Sequence, residues 1–140
     1  LVLRLCGKGV IEAELGAALR QLVQVEDETG PTFRTDAEVA RAIAASHLLL
    51  APYEGASQSG TITLALSCGL PVLAFDDGSI SDLVSPEGLV PSGDCPALAA
   101  ALQAFVDGTP VGRPRDGLES WRQETRDQWV TVLREAARRR

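Results

Sequence analysis

Apolar runs alternate along this chain with polar breaks marked by Gly and Pro. Residues 1–6 are apolar apart from Arg4 and predict a buried parallel strand. Residues 10–22 predict a helix with Leu15, Leu19 and Leu22 along one face. Residues 23–25 predict a short strand, and the tract Glu26-Asp27-Glu28-Thr29-Gly30 an acidic, solvated turn. Thr35 or Asp36 is placed to cap a helix over residues 37–45. Residues 48–51 read as a buried strand, ended by Pro52-Tyr53-Glu54-Gly55. Residues 62–68 predict a short helix capped by Ser57 or Ser59, apolar on nearly every side and so expected to be buried. Gly69 suits the left-handed position after that helix, and Pro71 confirms the stop. Residues 71–75 and 88–90 predict two more strands. Asp94 is expected to cap a helix over residues 96–106, with Pro96 in its first turn. Residues 108–115 read as a Pro/Gly-rich linker, and residues 116–140 as a final helix with Trp121, Trp129, Val132 and Leu133 on one side. Alternating strand and helix signals predict an α/β fold, a parallel sheet with helices on both faces.

Length and composition agree with this pattern. The 140 residues are one domain's length, and 45% apolar content is enough for a core. No apolar run is long enough to cross a membrane, and the chain enters a strand without a signal peptide. The absence of Met suggests a piece of a longer chain. Cys6, Cys68 and Cys95 have no metal-ligand spacing, and their odd number is expected of reduced cytoplasmic thiols. The net charge of −6 argues against a nucleic-acid partner. The charge is uneven: residues 1–112 carry net −9 and residues 113–140 net +3. The basic, amphipathic last segment is expected to dock on protein, or alternatively to touch a membrane surface as a peripheral contact.

The candidate chemistry centres on the strand–loop–helix at residues 48–68. Such a turn points free amides out of the sheet's carboxyl edge, and the helix dipole favours an anion there. Ser59, Gly60 and Thr61 are therefore candidates to hold a phosphate; the alternative is a well-capped core helix with no ligand. Asp76-Asp77-Gly78 follows a strand at the same edge and reads as a turn, with an acid/base pair as the alternative. Gly7-Lys8-Gly9 lacks the third glycine of a dinucleotide fingerprint, because position 12 is Glu12. Lys8 reads as an exposed loop lysine, His47 as a satisfied residue near a helix end, and Asp82 as a surface or capping carboxylate.

The stretch Ala51-Pro52-Tyr53-Glu54, Ser57-Gln58-Ser59-Gly60 and Ala65-Leu66-Ser67-Cys68-Gly69-Leu70-Pro71-Val72, with the segments around Asp76-Asp77-Gly78 and Gly88-Leu89-Val90, resembles the GT-B glycosyltransferases. The likeness is strongest to the C-terminal, nucleotide-sugar-binding domain of the family 4 (glycogen synthase-like) group, and covers residues 1–107. It implies a Rossmann-like domain holding a nucleoside diphosphate sugar as donor, with an acceptor bound by a missing N-terminal domain. It implies hexosyl transfer, with retention, in the cytoplasm. Neither a metal nor a further cofactor is expected. Basic residues for the diphosphate would lie before Leu1, and residues 1–140 alone would be inactive. By the resemblance, Ser57, Gln58, Ser59, Gly60 and Thr61 hold the diphosphate. Phe33 and Arg34 lie by the nucleotide base and Thr63 by the ribose, although Phe33 by itself reads as a core aromatic. Two glutamates present in many members fall here at Ala56 and Leu64, so their roles do not carry over; Glu54 is the remaining catalytic candidate. The competing readings are a degenerate, non-catalytic GT-B half acting as a binding module, and a GT-B-shaped nucleotide-sugar epimerase.

Overall fold

A computed structural model describes residues 1–8, 13–55 and 59–114, together with Gln123. The expected terminal helix over residues 116–140 and the residues Ser57 and Gln58 lie outside these, apart from Gln123. The chain forms two compact units, Leu1–His47 and Leu48–Arg140.

The first unit is a strand–helix–strand crossover followed by a helix: β1 (Val2–Lys8), α1 (Ala13–Leu22), β2 (Gln24–Gly30) and α2 (Asp36–Ala44). β1 and β2 pair in parallel from Val2 opposite Gln24 to Lys8 opposite Gly30. The acidic tract expected as a turn is therefore most of a strand. Its carboxylates find partners that a sequence window does not show. Arg4, directly opposite Glu26, reaches it at 2.6 Å and Glu28 at 3.8 Å. Asp27 accepts from the Thr29 amide and hydroxyl at 3.0 and 2.7 Å. Those two bonds, the hydroxyl first, hold the Asp27 carboxyl below its ordinary range. α2 begins with a capping box: the Thr35 hydroxyl accepts from the Glu38 amide, and the Glu38 carboxylate accepts from the Thr35 amide at 2.8 Å. The Thr35 amide and then its hydroxyl hold the Glu38 carboxyl low as well. Two expected core positions face solvent. Leu22 ends α1 and is exposed, and Phe33 is 81% exposed.

The second unit is a parallel sheet of β3 (Leu49–Ala51), β4 (Val72–Asp76) and β5 (Leu89–Pro91), in that order. α3 (Gly60–Ser67) crosses from β3 to β4, the 3-10 turns Ile80–Asp82 and Pro86–Gly88 lead to β5, and α4 (Cys95–Val106) follows. Asp94 caps α4 by accepting from the Ala97 amide at 2.9 Å. Four of the five β4 residues, Val72 to Phe75, are buried. Leu73 and Phe75 join Val90 in a core that Leu98, Ala101 and Leu102 of α4 cover. Val72 and Ala74 point to the other face, where α3 buries Ile62, Ala65 and Leu66 and the first 3-10 turn buries Ile80. A central parallel strand with both faces covered explains the unbroken apolar run.

Gly108–Pro114, read from the sequence as a linker, is packed into this unit. Val111 is buried, the Gly112 carbonyl accepts from the Val72 amide at 2.8 Å, and Pro114 bridges Val84. A Cβ at Gly112 would overlap the Val72 carbonyl and the Gly88 backbone, so two glycines allow the close approach. Removing residues 108–140 is expected to cost on the order of 2 kcal/mol relative to ending the chain at Pro114, because Val111 burial and the Val72 bond are lost. Gly112→Ala should cost about 1–3 kcal/mol by overpacking. Urea melts check both; a chain ending at 107 as stable as one ending at 114 would refute this packing.

Acid should destabilise the first unit in a defined direction. Asp27 and Glu38 have folded-state pKa values below their unfolded ones. Their contribution is present at neutral pH and is lost as pH falls below about 4, through the folded values. Glu38→Ala should lower stability at pH 7 and flatten its fall between pH 5 and 3, measured by thermal melts across that range.

Candidate donor site

The loops that follow β3, β4 and β5 share the carboxyl edge of the second unit, where ligands of open parallel sheets bind. α3 starts there. Ser59 is 8% exposed, and its hydroxyl accepts from the Ile62 amide at 3.3 Å. That cap serves the third helical residue and leaves the Gly60 and Thr61 amides without intrahelical partners. Gly60 and Thr61 are exposed, and a Cβ at Gly60 would meet no atom within 4 Å. The helix end is thus open to an anion. The Thr63 hydroxyl donates to the Ser59 carbonyl at 3.1 Å and is occupied within the helix.

Burial along α3 is one-sided. Leu64 is 43% exposed and continues the open face of Gly60 and Thr61 one turn on. The expectation of a buried helix therefore fails at Leu64: the sheet side of α3 buries Ile62, Ala65 and Leu66, and none of the described residues buries the side that carries Leu64.

The sequence missed the hub of this edge. The Asp77 carboxylate accepts from the Gly55 amide at 2.5 Å and from the Ser92 hydroxyl at 3.2 Å. One side chain after β4 thereby ties the loops after β3 and β5. The signal was an Asp-Asp-Gly after a strand; its turn reading also holds, with Gly78 at φ 55°. Glu54 is exposed and reaches the turn at Gly93, whose φ is 74°.

Electrostatically the edge is acidic. Glu54, Asp76, Asp77 and Asp94 lie on it, and Arg113 is the one basic side chain among the described residues of the second unit. No group of three or more His, Cys, Asp or Glu able to hold a metal occurs among the described residues. A cleft of about 470 Å³ is lined by Asp76, Ser81, Val84, Pro86, Leu89, Val90 and Pro91, none of them on α3.

In the first unit, Lys8 sits 4.8 Å from the centre of the exposed Phe33 ring. Arg34 is half-buried, and its Nη1 donates to Glu38 at 3.4 Å. Phe33 is thus no core aromatic. It stands beside the carboxyl ends of β1 and β2 with a cation against its ring. His47 is exposed, as are the free thiols Cys6, Cys68 and Cys95.

Residues 1–107 match the family described as glycosyl transferases group 1. The chain belongs to that family. No curated protein and no solved structure matches it. The α/β fold of parallel strands flanked by helices is that of a Rossmann-like GT-B half, and the role that follows is glycosyl transfer. No described helix of this group 1 glycosyltransferase is long and apolar enough to cross a membrane.

Leu64 of this transferase is 43% exposed. Leu64→Glu would bury no charge, so its melting temperature should stay within a few degrees of wild type, as for ordinary surface substitutions of about ±0.5 kcal/mol. A loss equivalent to more than about 2 kcal/mol in a thermal melt would place Leu64 in the core instead.

Proposed function

We propose that this chain is the C-terminal, donor-binding domain of a retaining hexosyltransferase of the family 4, glycogen synthase-like group. The first turn of α3 carries the reading: two amides at a helix N-terminus that have no intrahelical acceptor and no partner among the described residues, with an exposed glycine where a ligand must approach closely. On this reading the Gly60 and Thr61 amides hold the diphosphate of a nucleotide sugar together with Ser59 and, as the family resemblance implies, Ser57 and Gln58. As the bond between the anomeric carbon and the diphosphate oxygen breaks, charge grows on the leaving group, and fixed dipoles stabilise it there. The sugar passes to an acceptor hydroxyl held by the other half of the GT-B pair, so residues 1–140 by themselves do not turn over.

Phe33 and Arg34 are proposed for the base and Thr63 for the ribose; Glu54 is the carboxylate proposed to face the sugar. The Thr63 hydroxyl donates to the Ser59 carbonyl, which leaves its lone pairs to accept from a ribose hydroxyl. With one basic side chain among the described residues of the second unit, most of the cationic charge that offsets the diphosphate would come from elsewhere in the enzyme. The proposed setting is cytoplasmic, with membrane contact at most peripheral.

Gly60 separates binding from folding. Gly60→Ala is expected to hold or raise stability, by up to about 1 kcal/mol, while nucleotide affinity falls roughly tenfold, about 1.4 kcal/mol. Gly60→Asp, which sets a carboxylate at the helix end, should abolish binding. Calorimetry of the intact enzyme with UDP, GDP and ADP is the measurement. Unchanged affinity in Gly60→Asp would remove this site from the molecule's function, and nucleotide binding without transfer would mark a non-catalytic module.

A further inference from the structure

We propose that Asp77 is a positioning residue for glycosyl transfer, fixing the backbone at Gly55 before α3 and the loop at Ser92 after β5 relative to each other at the edge that receives the donor; this rests on the donor site proposed above. Asp77 does not itself meet the donor. Its carboxylate accepts from the Gly55 amide and from the Ser92 hydroxyl. Gly55 stands four residues before Ser59, the cap of α3, and its φ of 73° turns the chain sharply at that point. Gly55 is thus held by Asp77, and Ser59 by its own bond to the Ile62 amide. Ser92 brings the loop after β5 into the same arrangement, and the Glu54 carboxylate lies where a side chain on the neighbouring Gly93 would meet it. A single charge-assisted acceptor thus sets the spacing of three loops around the helix end. Ordering them before the ligand arrives reduces the conformational cost of binding.

Charge and position make opposite demands here, and that separates them experimentally. Asp77 is a negative group on the edge that is to take a diphosphate. If it acted through charge alone, neutralising it would tighten binding of an anion. If it positions the loop, removing it must weaken binding despite the relief of repulsion.

The test is calorimetric titration of UDP, GDP and ADP into the intact enzyme as wild type, Asp77→Ala, Asp77→Asn and Ser92→Ala, each with a thermal melt. Asp77→Ala is expected to lose at least about fivefold in affinity, about 1 kcal/mol. Asp77→Asn keeps an acceptor oxygen without the charge and should restore most of that loss; Ser92→Ala removes one donor and should fall between wild type and Asp77→Ala. Affinity in Asp77→Ala equal to or greater than wild type would overturn the positioning role while leaving the donor site standing. A wild-type enzyme that binds none of the three nucleotides would overturn the donor-site reading itself, and this role with it. Should Asp77→Ala fail to fold, Ser92→Ala decides, and its unchanged affinity would count against the proposal.

Discussion

The second unit depends on burying both faces of one short strand. β4 supplies Leu73 and Phe75 to the core under α4 and turns Val72 and Ala74 to the opposite side. A strand in that position must have its amides satisfied by neighbours on each edge and at its start. β3 and β5 serve the two edges, and the Gly112 carbonyl serves the amide of Val72. The last requirement brings two backbone segments so close that neither Gly88 nor Gly112 has room for a side chain. The segment after α4 therefore belongs to the same packing problem as the sheet, although the family match ends at residue 107.

That burial also places the chemistry. With β3, β4 and β5 parallel, their following loops emerge on one edge, and the crossover after β3 aims the N-terminus of α3 at it. The edge is contradictory in charge. Backbone amides offer a partial positive end, while Glu54, Asp76, Asp77 and Asp94 make the surroundings negative. Asp77 has part of that charge absorbed by two donors and is used as structure. A phosphate ligand in such a place gains from geometry and fixed dipoles, and its net charge has to be offset by groups beyond this edge.

Leu64 and Phe33 show how a family pattern and a local environment interact. Leu64, which the resemblance sets at the place of a glutamate, is exposed on one side of α3. An uncharged, partly exposed leucine leaves that side of the helix neutral, unlike the loops around it. Phe33 presents an open ring with Lys8 against it, where an aromatic of this sequence context reads as core. Both residues carry apolar surface that the described packing leaves uncovered.

The sequence by itself determined the element types and the fold class. Strand runs, caps and stops are written in neighbouring residues: Ser59 and Asp94 cap their helices, Thr35 closes a capping box with Glu38, and Gly69 takes the left-handed turn. The open end of α3 was legible for the same reason, since small residues after a strand and before a helix act within a few positions. Tertiary structure decided what depends on partners far along the chain. The acidic tract became β2 because Arg4 lies opposite Glu26, 22 residues away. The apparent linker became packing because Val72 needs an acceptor and two glycines let Gly112 reach it. Asp77 became the junction of three loops because the sheet order sets β4 between β3 and β5. Local propensity is additive along the chain, whereas pairing, exposure and close approach are properties of surfaces that meet only once the strands are in register.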